Sequence, residues 1–170
     1  DTGAFHSCEA LKSIRIPSKV TYIGSGAFTN CNTLTSVKIP EGVTIIQVQA
    51  FLGCGNLKSI SLPTSVQKIL QDAFKYCRSL KNITYAGTKA QWSAVGIYGL
   101  LYDGNKVLKD ATIHCTDGDM KWVGEEWVDA DTENSITVGK TTEANAKPHA
   151  VFNGLTAGEE YTVIVSKSAT

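Results

Sequence analysis

The chain has 170 residues and a formal net charge of zero, with 16 Lys and Arg against 16 Asp and Glu. The charge is unevenly spread, because residues 1–86 carry a balance of +5 and residues 87–170 a balance of −5. No apolar run approaches the roughly 20 residues that cross a bilayer, and no signal peptide or lipidation motif is present. We therefore expect neither membrane insertion nor a nucleic-acid partner. Because Asp1 starts inside a repeat, we expect the chain to derive from a longer precursor.

A unit of 23 residues recurs without insertion through the first half of the chain. Its clearest landmark is Ala followed by Phe, with the rings at Phe5, Phe28, Phe51 and Phe74. A cysteine follows three residues after each ring, at Cys8, Cys31, Cys54 and Cys77, and a leucine comes three residues later again. A fixed period of this length predicts a solenoid in which each unit is one coil of a stack.

Each unit has the order L-x-x-I-x-I-P-x-x-V-x-x-I. The alternation predicts a short strand that points Ile14 and Ile16 inward and Arg15 outward, and the proline that follows ends the strand. The A-F-x-x-C piece predicts one helical turn, stopped by a left-handed residue at Asn32 or Gly55. We expect the four phenylalanine rings to form one buried column.

This pattern resembles the BspA-type leucine-rich repeat of bacterial and protozoan surface proteins, from Gly3 to about Tyr85. The resemblance implies a right-handed repeat solenoid of short strands and helical turns over residues 1–86. It also implies a non-enzymatic recognition or adhesion module that binds proteins or glycans, located outside the cell or on its surface.

The period stops after Tyr85, and a different pattern follows. Thr88 and Gln91 have the spacing of a capping box, which predicts a short helix carrying Trp92 and Val95. A strand is predicted at 111–115. Members of the family commonly follow their repeats with a similar element, so the resemblance implies a C-terminal cap of the solenoid at 87–116.

The last segment, 117–170, contains predicted strands at 121–128 and at three later places. Its residues 154–165 resemble the tyrosine-corner region of a fibronectin type III domain, with Tyr161 as the corner residue. A complete sandwich needs about 100 residues, so we interpret this all-β segment as either an incomplete sandwich-like domain or a smaller β unit.

Nothing in the sequence predicts catalysis, a cofactor or a metal site. The cysteine column predicts free, buried thiols, because equivalent side chains in a stack point in parallel and do not converge on a metal ion. His6, His114 and His149 are scattered along the chain. An acidic run at Asp129 has the spacing that opens a calcium loop, but Asn134 and Lys140 occupy positions that such a loop reserves for Gly and Glu.

Aromatic side chains offer one alternative to a protein-binding role. Trp122 and Trp127 could form a sugar-stacking surface, but their odd separation on one strand places them on opposite faces. We therefore keep open three functions: a surface recognition or adhesion module, an accessory and possibly carbohydrate-binding region of a larger secreted enzyme, and a structural spacer.

The predicted binding surface is the outward face of the repeat strands. Its residues are Lys12, Ser13, Arg15, Lys38, Lys58, Ser59, Lys81 and Asn82. The excess of Lys and Arg favours an acidic protein or acidic glycan, bound weakly and in a salt-dependent way.

Overall fold

The computed structural model describes residues 1–100 and 104–130. These residues contain nine short strands, one α-helix and one 3-10 helix. The elements are β1 Ser36–Lys38, β2 Ile45–Ile46, β3 Ser59–Leu62, β4 Lys68–Ile69, β5 Asn82–Tyr85, α1 Lys89–Ser93, β6 Gly96–Ile97, the 3-10 helix Lys106–Asp110, β7 Thr112–Cys115, β8 Gly118–Val123 and β9 Glu126–Asp129. The fibronectin-like segment at 154–165 lies outside the described residues.

A six-stranded sheet runs along one side of the solenoid in the order β1-β3-β5-β7-β8-β9. The first four strands are parallel, and β1 pairs with β3 so that Val37 lies opposite Ile60, 23 residues later. The next strand keeps this step and places Ile83 in the same row. Because the repeat has no insertions, residues that are 23 positions apart in the sequence lie side by side in the sheet.

A narrow parallel sheet, β2-β4-β6, forms the second side of each coil. Between the two sheets lies one continuous apolar core, and the second, third and fourth coils supply most of it. In these coils the predicted alternation is confirmed, since Val37, Ile60 and Ile83 are buried while Lys38 and Asn82 are exposed.

The A-F-x-x-C pieces are tight turns, not α-helix. Within each turn the cysteine N–H donates to the phenylalanine carbonyl, with Cys31 N lying 3.2 Å from Phe28 O. The left-handed residue falls between the two, at Asn30 (φ 60°) and Gly53 (φ 73°). The prediction of Asn32 and Gly55 for this role was wrong, because the chain must reverse before the cysteine turns into the core.

The phenylalanine rings stack as predicted, but their burial differs. Neighbouring ring centroids along the column are 5.2, 5.2 and 5.5 Å apart, and the rings are nearly parallel. Phe51 and Phe74 are fully buried, whereas Phe5 remains 38% exposed. The expectation that all four rings are buried was therefore wrong for Phe5, which has a neighbouring coil on only one side.

Helix α1 follows the fourth coil and begins with the predicted capping box. The Thr88 hydroxyl accepts the Gln91 N–H, and the Gln91 side chain accepts the Thr88 N–H. Trp92 on this helix is fully buried. Val95 is also buried but lies one residue beyond the C-cap at Ala94, so the helix is shorter than predicted.

A buried amide, Asn105, ends the ladder of turn hydrogen bonds. In the earlier coils each phenylalanine N–H donates to the alanine carbonyl of the next coil, as from Phe51 to Ala73. Phe74 has no such coil after it, and its N–H donates to Asn105 Oδ1 at 2.9 Å. The Asn105 Nδ2 donates to the carbonyls of Leu70 and Tyr98. One side chain thus replaces the backbone of a missing coil.

The region predicted as a single strand at 121–128 is a hairpin. Strand β8 pairs with β9 in antiparallel fashion, and Gly124 (φ 63°) forms the turn between them. Glycine reaches this conformation without the steric cost that other residues pay, so the chain reverses there. Because β8 also pairs with β7, the sheet continues through Asp129, past the boundary predicted at 117.

Candidate functional site

The outward face of the six-stranded sheet carries the predicted binding residues in columns that run from coil to coil. One column contains Lys12, Thr35, Lys58 and Lys81, which backbone hydrogen bonds link in series. The second contains Ser36, Ser59 and Asn82, and the third Lys38, Ser61, Thr84 and His114. Ser13 and Arg15 of the first coil are exposed and hold the equivalent repeat positions, although no strand is assigned to that coil.

All five cations of this strand face are exposed: Lys12, Arg15, Lys38, Lys58 and Lys81. Among residues 1–100 and 104–130, none of them forms an ion pair with a carboxylate. Neighbouring strands lie about 4.8 Å apart, so lysines in adjacent coils are close enough to bind one ligand together. The face therefore presents five exposed positive charges that no carboxylate of the described residues pairs with.

A shallow recess of about 680 Å³ lies at the carboxyl end of the first two strand positions. Arg15 and Lys38 flank it, Ile16 and Pro40 form apolar parts of its wall, and Glu41 is at its edge. The combination of two cations with apolar walls can accept a carboxylate or sulfate group together with part of its carbon skeleton.

His114 marks the other end of the strand face, and the sequence analysis did not place it there. Its Nδ1 lies 2.9 Å from Asp119 Oδ1, and its Nε2 lies 3.0 Å from Asn82 Oδ1. These contacts hold the ring and the Asn82 amide in place. The period could have identified the position, since His114 follows Thr84 in the same column, but the cap does not keep the 23-residue step.

The two tryptophans lie side by side, which corrects the prediction of opposite faces. Trp122 is directly opposite Trp127 in the hairpin, and their ring centroids are 5.3 Å apart at 80°. Trp127 also contacts buried Trp92 at 5.5 Å, and Lys109 Nζ lies 5.1 Å above the Trp122 ring. Both rings are half-buried at the edge of the core and contact other aromatic rings, so they do not form the predicted sugar-stacking surface.

The cysteine side chains are free thiols that bridge adjacent coils. Each of Cys31, Cys54 and Cys77 donates its S–H to the phenylalanine carbonyl of the preceding coil at 3.0–3.1 Å. These three are buried as predicted, whereas Cys8 and Cys115 are half-buried.

Burial also changes how readily the thiols ionise. Desolvation raises the pKa of Cys31 to about 11. Contact with the Cys54 thiol, together with burial, raises the pKa of Cys77 well above its usual range. Protonated, enclosed thiols are poor nucleophiles, so Cys31 and Cys77 are suited to a structural role.

The described residues contain no group of three or more His, Cys, Asp or Glu side chains able to hold a metal ion. Over the same part of the chain, no helix has the length and apolar character needed to cross a membrane.

A parallel ladder with a constant 23-residue step, backed by a second narrow sheet, defines a leucine-rich repeat solenoid. A family profile described as BspA type Leucine rich repeat region (6 copies) matches residues 1–94, which is more than half of the chain. The chain belongs to this family.

Two solved structures are similar to it. One is a leucine rich cell surface protein from Faecalibacterium prausnitzii A2-165, with 44% identity over 56% of this chain and a TM-score of 0.54. The other is a leucine-rich repeat protein from Bacteroides ovatus ATCC 8483, with 31% identity over 68% of this chain and a TM-score of 0.54. The matches cover 25% and 28% of those two chains, respectively. No curated protein matches.

Proposed function

We propose that this chain is a non-enzymatic recognition module, displayed on a cell surface, that binds an acidic protein or acidic glycan through its strand face. The observation that carries the proposal is the set of five exposed cations in register, none of them paired with a carboxylate within the described residues. The surface location is supported by the similarity to the Faecalibacterium cell surface protein.

The size of the face limits its affinity. Four strand positions about 4.8 Å apart, with about four residues each at roughly 3.3 Å, present on the order of 250 Å². A stable protein partner covers about 800 Å² per side. We therefore expect weak binding by this chain alone, and stronger binding where a longer array presents more coils.

An accessory carbohydrate-binding role is the second candidate. Its sequence support was the pair Trp122 and Trp127 and the fibronectin-like segment at 154–165. The two rings are half-buried and contact other aromatic rings, and the segment lies outside the described residues. The exposed cations of the strand face support a recognition module better than they support an accessory carbohydrate-binding role.

The test compares two double variants of equal charge change. Arg15→Ala with Lys38→Ala removes two cations from the face and from its recess, whereas Lys19→Ala with Lys68→Ala removes two exposed cations elsewhere. Binding to long sulfated glycans and acidic matrix proteins is measured by surface plasmon resonance. We expect the face variant to lose at least about fivefold in affinity and the control variant less than about twofold.

Salt provides the second measurement. Affinity should fall as ionic strength rises from about 50 to about 300 mM, because screening shortens the reach of exposed charges. Equal losses of affinity in the two double variants would mean that only the net charge of the chain matters and not the position of the cations. Tight, salt-independent binding that survives Arg15→Ala with Lys38→Ala would refute the proposal.

A further inference from the structure

A separate recess lies on the turn side of the solenoid, where the fourth coil meets the residues that follow it. Its volume is about 350 Å³, and its lining includes Tyr76, Arg78, Gly104, Lys106, Val107 and Asp110. Ligand pockets occupy about 300–1,000 Å³, so this one is large enough for a small group but not for a folded partner. It shares no residue with the strand face.

Tyr76 in this recess adopts an unusual backbone conformation. The same repeat position holds Ser7, Asn30 and Gly53, and all four residues have φ between 57° and 73°. Asparagine and glycine tolerate this left-handed region, but a bulky aromatic residue there is an outlier.

The burial of Tyr76 does not explain why a strained aromatic residue is kept. Its side chain is 55% exposed, so it contributes little to the core. Backbone strain of this kind is concentrated at functional sites. The other three coils have a small or polar residue at this position. The Tyr76 ring is therefore a candidate for binding a ligand.

Charged groups of both signs surround the ring. Lys75 Nζ lies 5.4 Å from the centroid of the Tyr76 ring, and Arg78 and Asp110 are exposed at the edge of the recess. An arginine guanidinium binds a carboxylate through two parallel hydrogen bonds. An aspartate carboxylate accepts hydrogen bonds from hydroxyl groups, and an aromatic face packs against an apolar ring surface.

Hydrogen bonds hold the backbone between two of the lining residues in place before any ligand arrives. Asn105, which lies between the lining residues Gly104 and Lys106, is fully buried and bonded to Phe74, Leu70 and Tyr98. A preformed site avoids the cost of ordering its walls on binding.

We propose that this recess binds one carboxylated sugar residue of an acidic polysaccharide. The sugar ring packs on Tyr76, its carboxylate pairs with Arg78, and its hydroxyl groups donate to Asp110. The groups of the recess select this class: a sugar offers both a ring face to Tyr76 and hydroxyl groups to Asp110, whereas a neutral sugar leaves Arg78 without a carboxylate to bind.

The probe is a short oligogalacturonate, compared by calorimetry with a neutral galactose oligomer of equal length. We expect the acidic oligomer to bind at least about tenfold more tightly, because only it satisfies the guanidinium. Arg78→Gln should weaken this binding at least about fivefold, since the charge-assisted pair is lost.

Tyr76→Asn separates a binding role from a structural one. The asparagine matches Asn30 of the second coil and tolerates the left-handed backbone, so the thermal midpoint should be unchanged or higher. Binding of the oligogalacturonate should nevertheless fall at least about tenfold, because the stacking surface is gone. Tyr22→Asn, which removes a tyrosine that is 56% exposed in the first coil, is the matched control and should bind normally.

Each of the following results would overturn the proposal. The first is equal binding of the acidic and neutral oligomers, and the second is full binding by Tyr76→Asn. The third is an acidic peptide that competes with the same dependence on Tyr76 and Arg78, which would make the ligand class wrong.

The strand-face variant Arg15→Ala with Lys38→Ala locates the bound sugar. It should leave oligogalacturonate binding unchanged; if it abolishes that binding, the sugar lies on the strand face and not in the recess. This variant therefore distinguishes an error in the proposed recess site from an error in the proposed strand-face function.

Discussion

The first and fourth coils carry the same pattern of side chains in different surroundings. Phe5 is 38% exposed while Phe74 is fully buried, and Cys8 is half-buried while Cys77 is enclosed. The fourth coil has the third coil on one side and helix α1, Asn105 and strand β7 on the other. The repeat sequence thus determines where each side chain points. The burial of that side chain depends on whether a coil or a cap packs on both sides of it.

The largest difference is expected when the phenylalanine at the same repeat position is replaced by alanine in two different coils. Phe51→Ala removes a ring stacked on both sides and should reduce the free energy of unfolding by about 3–5 kcal/mol. Phe5→Ala removes a ring that, within the described residues, stacks on Phe28 alone, and should cost less than about 1.5 kcal/mol. Urea denaturation followed by circular dichroism measures both losses. Similar losses at the two positions would contradict the dependence of burial on neighbours.

The second test concerns the closed end of the array. Asn105→Ala leaves the buried Phe74 N–H without its acceptor and removes a donor from the part-buried carbonyls of Leu70 and Tyr98, and should cost about 2–3 kcal/mol. Asn56→Ala removes an exposed amide that bonds only the Asn32 carbonyl, and should change stability by less than about 0.5 kcal/mol. If both variants have the same unfolding midpoint as the wild type, the Asn105 side chain does not stabilise the last coil.

The third test uses pH to measure burial between coils. Burial raises the pKa of Cys31 to about 11, above its ordinary value of 9.0, so the unfolded thiol loses its proton first. The contribution to stability is complete below about pH 9 and is lost as pH rises towards about 11. We expect this loss to be about 1–2 kcal/mol.

Cys31→Ala supplies the control, because lysine and tyrosine titrations affect both proteins equally. The wild type should lose more stability than the variant between about pH 9 and about pH 11 in urea melts. Parallel pH profiles would mean that the thiol is not shielded by its neighbouring coils.

The repeat register was predictable because an insertion-free period leaves only one way to align the coils. The alternation around Val37 fixed which residues enter the core, and the rows formed with Ile60 and Ile83 confirm it. The cation columns of the strand face follow from the same spacing. Their role in binding remains a proposal, since spacing determines position and not affinity.

The remaining features depend on contacts that carry no period. The run around Gly124 alternates like one strand, and only the pairing of Trp122 with Trp127 reveals the hairpin. Asn105 sits in a polar loop of the sequence, where nothing distinguishes a buried asparagine from an exposed one. Its role follows from the unpaired Phe74 N–H, which becomes evident only when the last coil is in place.

The joints between coils are nearly identical, and this makes the number of coils adjustable. Phe28 N donates to Ala50 O at 2.8 Å, and Phe51 N donates to Ala73 O at the same distance. The thiol contacts across these two joints, from Cys54 and Cys77, are both 3.0 Å long. Duplication or deletion of a whole unit in the gene would therefore join equivalent surfaces, and evolution could lengthen or shorten the strand face without redesigning the residues that close its end.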